Sequence, residues 1–155
     1  MRVSRKTDYA LRALVALAEQ RERGGLLSIR SLAAGHGIPR RFLEQIMIDL
    51  RERGWVRAVA GRDGGYQLAV PPEAVTMGQV VRFFDGVLAP IGCVSVTHYE
   101  PCSQEPSCRF RRVFLEARNH AAQRLDAMTL ADLTRCTPVA PDEFQARGFG
   151  GGSGI

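Results

Sequence analysis

The residues of this chain best equipped for chemistry are four cysteines, Cys93, Cys102, Cys108 and Cys136, all in its second half. The first three fall within 16 residues, with the spacing Cys93-x8-Cys102-x5-Cys108. Soft thiolates grouped on one loop suit an iron–sulfur cluster or zinc better than a hard cation. In a reducing compartment such a group implies metal ligation or redox chemistry rather than a disulfide framework. Three thiolates leave a fourth ligand position to fill. His98 and Glu100 lie inside the loop and compete for it. His98, four residues before Cys102, makes a Cys3His zinc site the chemical alternative to a cluster. Cys136 stands well apart and is expected to be a buried or free thiol.

A second set of candidates is polar and faces outward. In the run RRFLEQIMIDLRERG, Leu43, Ile46, Met47 and Leu50 form one helical face, which leaves Arg40, Arg41, Glu44 and Gln45 on the other near the N-terminal end. Arg pairs with guanine O6 and N7, Gln with adenine N6 and N7, and Glu accepts from cytosine N4. The same residues would also be at home on an ordinary solvated face. Further on, Arg62 sits among three glycines, where the backbone can come close to a minor groove. Charge agrees with this placement. The net +5 is uneven, with 13 Lys/Arg against 7 Asp/Glu in residues 1–72 (+6) and 8 against 9 in residues 73–155 (−1). Twenty of the cations are arginine, Lys6 being the exception, so arginine content alone does not establish phosphate binding.

The elements that must hold these groups follow from local signals. Ser4 is a candidate N-cap for a first helix, with Leu11, Leu14, Val15 and Ala18 at helical spacing up to the Arg23-Gly24-Gly25 break. Ser28 caps a second helix, Ile29 to Ala34, ended by Gly35-His36-Gly37, where His36 is a surface or structural residue. Pro39 opens the third helix, which stops at Gly54. Trp55 to Ala60 and Tyr66 to Val70 flank a Gly/Asp turn and predict a hairpin. A short helix from Thr76 through Phe84 precedes the irregular stretch from Gly86 to Ser107 that carries the cysteines. After Cys108 a long helix is expected, its stripe of Phe110, Val113, Phe114, Ala117, Ala121, Leu125 and Met128 running over about five turns. So long a stripe fits a second copy of the chain better than a two-layer monomer, which predicts a dimerisation helix and a homodimer. From Pro138 onward the composition becomes loop-like.

The order of helix, helix–turn–helix and two-stranded wing defines a fold class, mostly α with a small β-wing. The expected layout is a winged helix-turn-helix DNA-binding domain over residues 1–72, a cluster-binding loop with dimerisation helices over 73–136, and a flexible tail over 137–155. The opening MRVSRKTDYALRALVALA, the stretch IPRRFLEQIMIDLRERGWV, the wing GRDGGYQL, and three cysteines after VTMGQVVRFFDG resemble the Rrf-two (Rrf2) family of regulators over residues 1 to 135. That family includes the iron–sulfur regulator IscR and the nitric-oxide sensor NsrR. The resemblance implies a homodimer on an inverted-repeat, double-stranded DNA operator, with the Leu43-Glu44-Gln45 segment in the major groove and the wing in the minor groove. It also implies an iron–sulfur cluster on Cys93, Cys102 and Cys108, either 2Fe–2S or 4Fe–4S, and offers Asp8 of the other subunit as fourth ligand. An acidic residue in a first turn also simply complements the helix dipole. Three features depart from the family pattern. Ala60 replaces the usual Arg before the first wing glycine, so Arg62 or Arg57 is the expected minor-groove contact. The gap between the first two cysteines is wide, and Arg111 stands where IscR-like members have a histidine.

Other classes fit less well. There is no apolar run of about 20 residues to span a membrane, and Met1 to Thr7 lacks the apolar core of a signal peptide, so a cytoplasmic protein without membrane contact is expected. A redox or metal-handling enzyme would want a dinucleotide-binding glycine motif, a Cys-x-x-Cys pair or an acid–base constellation, and none is present. Within the same fold, sensing by bare thiols or by zinc is the alternative to a cluster.

Overall fold

Ser4 opens the first helix by accepting from the Thr7 backbone N–H at 3.2 Å, and the helix, α1, runs Arg5–Arg23. In the computed structural model, which describes residues 2–146, six more helices and one hairpin follow it. They are α2 (Ile29–His36), α3 (Arg40–Glu52), β1 (Val56–Val59), β2 (Gly65–Leu68), α4 (Met77–Asp85), α5 (Phe110–Asp126), α6 (Leu130–Arg135) and α7 (Pro141–Ala146). Short 3-10 turns occupy Pro72–Ala74 and Gly92–Val94.

Helix α1 is the axis of the core. Ala10, Ala13, Leu14, Ala16, Leu17 and Ala18 are all buried, and the four alanines keep that face thin enough for α2, α3, β2, α4 and α6 to pack around it. Leu32, Leu43, Ile46, Met47, Leu50, Val56, Leu68, Val80 and Leu130 complete the cluster. Each fully buried leucine or isoleucine contributes about 1.5–3 kcal/mol of burial free energy before entropy is charged.

Between α2 and α3 the chain turns at Gly37, whose φ of 62° lies in the left-handed region that side-chain-bearing residues avoid. Ile38 then plugs the core, and Pro39, preset in φ, starts α3. The hairpin is antiparallel with Val56 opposite Leu68, and Tyr66 bridges back to Leu27 through a pair of backbone hydrogen bonds. At the wing tip a Cβ on Gly64 would collide with the carbonyl oxygens of Val59 and Gly61, so only glycine fits there.

Two elements differ from expectation. The helix after Cys108 ends at Asp126 instead of continuing through Met128. Thr129 then starts α6 with a capping box to Asp132, and Leu130 enters the core. The expected flexible tail begins with a helix, Pro141–Ala146, and its remainder, residues 147–155, lies outside the described residues. Among the described residues no helix is long and apolar enough to cross a membrane.

Candidate functional site

On α3 the burial of Leu43, Ile46, Met47 and Leu50 turns Arg40, Arg41, Gln45 and Ile48 to solvent. No side chain caps the N-terminus of α3, so its first-turn N–H groups and two arginines together favour an anion there. Arg40 pairs with Glu44 at 2.9 Å, one turn on. Arg41 has no side-chain partner among the described residues and is free to reach out. Gln45 donates to Asp49 Oδ1 at 3.3 Å. Arg62 is exposed at the tip of the hairpin, and Arg57 is exposed on β1. The structure thus brings Arg40, Arg41, Glu44 and Gln45 onto one helix, with Arg62 on a separate projection.

Helix α1 braces this unit. Arg12 donates to the His36 carbonyl in the turn at 3.3 Å, so His36 serves through its backbone. Tyr9 meets Phe42 edge-on at 5.7 Å. Asp8 is held by Arg12 through two hydrogen bonds, at 3.0 and 2.7 Å, and lies partly exposed in the first turn of α1.

The cysteine loop, expected to be irregular, is built from specific ties. Cys93, Cys102 and Cys108 line a single cleft of about 560 Å3, together with Ile91, Glu100 and Phe110. All four cysteines are free thiols, with Cys93 and Cys108 half-buried and Cys102 and Cys136 exposed. His98 opens instead onto a neighbouring cleft with Arg2 and Asp85. Glu100 touches both, and Asp8 lines neither. Among the described residues no three His, Cys, Asp or Glu side chains converge closely enough to hold a metal ion. The donor set nevertheless fits an iron–sulfur cluster or zinc, with three thiols and two carboxylates, Glu100 and Glu105, on a common, partly apolar cleft, Glu105 being engaged by Tyr99, the Cys102 N–H and Arg111.

Sequence reasoning missed the residues that shape this loop. Glu105 accepts from the Tyr99 hydroxyl at 2.8 Å and from the Cys102 backbone N–H at 3.1 Å, and it pairs with Arg111 at 2.9 Å. The Tyr99 hydroxyl, the Cys102 N–H and the Arg111 charge hold the Glu105 carboxyl below its ordinary pKa despite some desolvation. Tyr99 is raised, first by the same hydrogen bond. Arg111 donates two hydrogen bonds to the Cys93 carbonyl, at 3.2 and 2.8 Å, and Arg118 donates to the Val94 carbonyl at 2.5 Å. The one available sequence signal was a carboxylate three residues after Cys102, the spacing of a side-chain-closed turn.

Asp85, at the end of α4, joins the start of the loop to the N-terminal turn of α1. Its Oδ2 accepts from the Ser4 backbone N–H and the Thr7 hydroxyl, both at 2.8 Å. Burial alone would raise its pKa, but the hydrogen bonds from Ser4 and Thr7 outweigh that and lower it. Gly86 and the cysteine loop follow directly.

Comparisons with known proteins bear on this arrangement. The family model described as "Rrf2: Iron-dependent Transcriptional regulator" matches residues 3–136. An HTH-type transcriptional regulator of Rhodobacter capsulatus, described as rrf2-like, is 40% identical over 136 residues, covering 84% of this chain and 91% of that protein. Among solved structures, CymR, the global cysteine regulator of B. subtilis, superposes with a TM-score of 0.74 at 29% identity, covering 89% of this chain and 99% of that one. T. potens IscR gives a TM-score of 0.66 at 28% identity, covering 87% of each chain.

Proposed function

The chain belongs to the Rrf2 family of transcriptional regulators, and from that premise we propose that it is a homodimeric DNA-binding regulator whose operator affinity answers to an iron–sulfur cluster on Cys93, Cys102 and Cys108. The observation that carries the reading is the sharing of one cleft by these three thiols. Glu100 is the candidate fourth donor within the same protomer, and Asp8 the candidate from the partner. His98 faces a different cleft, which weighs against zinc held as Cys3His.

When bound, the cluster supplies an iron centre that responds to iron supply, redox state or nitric oxide. The chain's own residues connect that site to DNA. Arg111 and Glu105 grip the backbone of Cys93 and Cys102, so the loop and the first turn of α5 move together. Through α4 and Asp85, the loop also adjoins the N-terminal turn of α1, which braces α3. Regulation requires operator affinity to differ between cluster states, since tight cluster binding alone shifts nothing. Arg41 and Gln45 are the base readers, Arg40 and Glu44 border them, and Arg62 enters the minor groove. The outward apolar residues of α5 meet a second copy, and a two-fold dimer reads an inverted repeat. Within the same fold, a thiol or zinc switch is the second reading, favoured by the exposure of Cys102 to small oxidants.

Anaerobic purification followed by visible absorption and iron and sulfide analysis tests the reading. Wild type and Cys136→Ser should be coloured, and Cys93→Ser, Cys102→Ser and Cys108→Ser colourless, with weaker or stronger operator binding than the loaded protein. Colourless wild type containing zinc would move the assignment to zinc, and metal-free wild type to bare thiols. Glu100→Ala and Asp8→Ala compared for chromophore lifetime in air identify the fourth ligand.

A further inference from the structure

Lys6 is the only lysine in the chain, set among twenty arginines. Its ammonium lies 2.7 Å from Asp49 Oδ2 and 5.3 Å from the centroid of the Phe84 ring. Asp49 Oδ2 is buried and, among the described residues, has no hydrogen-bond donor in line with it, so the Lys6 charge is its compensation. Its other oxygen, Oδ1, accepts from Gln45 Nε2 on the outward face of α3. Three helices therefore converge on one base-facing amide, with α4 beneath Lys6, α1 carrying it, and α3 carrying Asp49 and Gln45.

The polarity of this chain of contacts is what matters. A carboxylate can only accept, so Asp49 requires the NH2 group of Gln45 to face it, which fixes which way round the amide is presented. One N–H is used on Asp49. The second N–H and Oε1 remain, and they match adenine N7 and N6 in the major groove. Asp49 in turn keeps its orientation because Lys6 holds its buried oxygen. A compact ammonium suits the space between a ring face and a single carboxylate oxygen, where a planar guanidinium would be broader.

We infer that Lys6 is a positioning residue for base reading: through Asp49 it orients the Gln45 amide and sets a preference for adenine at one operator position. The inference rests on α3 being the DNA-reading helix. It adds a residue that touches no base and lies on α1, seated on the ring of Phe84, one residue before the Asp85 that receives Ser4 and Thr7.

The test starts by enriching duplexes from a fully randomised library with wild-type protein. The enriched duplex, its single-base variants and a scrambled duplex are then the probes. Gln45→Ala should flatten the preference for adenine at one position by about tenfold, and Lys6→Met should flatten the same position to a similar degree. Lys6→Arg, which keeps the charge but is broader, should fall between wild type and Lys6→Met. Combining Lys6→Met with Gln45→Ala should add nothing, because both act on one contact. Affinity for the scrambled duplex and its salt dependence should stay as in wild type, since the ammonium is spent on Asp49 rather than on a phosphate. Asp49→Ser carries the same test without removing the cation, should Lys6→Met fold poorly. If Gln45→Ala relaxes a position that Lys6→Met and Asp49→Ser leave intact, or if Lys6→Met weakens all duplexes alike, the positioning role is overturned and the DNA reading stands. If Gln45→Ala changes no base preference, Gln45 is not a reader, and that assignment falls together with the inference.

Discussion

Helices α1 and α5 are close in length, 19 and 17 residues, yet seven residues of α1 are buried and none of α5. Both carry apolar residues at helical spacing. Those of α1 find partners on five other elements of the same chain, whereas α5 packs its inner side mainly on α4 and the Gly92–Val94 turn. Phe110 and Val113 are each 64% exposed. Amphipathicity therefore says that a helix will bury a face, and the surrounding fold decides against what. In the proposed dimer the bare outer side of α5 would be covered by a second copy, and the same helix supplies the arginines that grip the cysteine loop.

The contrast can be broken most severely at the centre of α1. Leu14→Ala opens a cavity in a fully buried site and should cost about 2–5 kcal/mol in urea unfolding, while Val113→Ala on α5 should change monomer stability by less than about 0.5 kcal/mol. Equal losses at the two sites would mean that α5 is as fully packed as α1.

A charge on the outer face of α5 sharpens the comparison differently. Val113→Asp leaves the helix intact but would bury an unpaired carboxylate in a dimer seam, at a cost of several kcal/mol. Sedimentation should show a dimeric wild type and a largely monomeric variant with unchanged far-ultraviolet circular dichroism. A monomeric wild type, or a variant that remains dimeric, would place the seam elsewhere.

The smallest effect concerns the joint between the two regions. Asp85→Asn should cost about 0.5–1.5 kcal/mol, the usual worth of the hydrogen bonds it weakens. Because the folded-state pKa of Asp85 lies below its unfolded value, its contribution is complete above the ordinary aspartate pKa and fades as pH falls through the lowered one. Wild-type stability should therefore lose this increment on acidification below about pH 4, and Asp85→Asn should lose less over the same range. Parallel pH profiles would show that the carboxylate does not carry the joint.

Local chemistry was enough to place most of the winged helix in the sequence. Ser4 and Ser28 cap the helices expected of them, Thr76 caps the helix expected to begin with it, Gly37 makes the turn, and the hairpin differs only at its ends. These features depend on neighbours within a few residues, which is the range over which caps, turns and periodicity act. The capping box of Thr129 and Asp132 is equally local and was readable, but the apolar stripe running up to it at Met128 masked the end of α5 at Asp126. The order of motifs likewise pointed to the Rrf2 family.

Tertiary structure alone decided which groups meet across the chain. Asp85 reaches residues 81 and 78 positions away, Arg111 reaches 18 positions back to the Cys93 carbonyl, and Lys6 finds Asp49 two helices on. The same holds for Glu100, which shares the cysteine cleft, and His98, which does not, although only one residue separates them. Such pairings depend on how helices are rotated and stacked once the core has closed, and spacing in the sequence carries no information about that rotation.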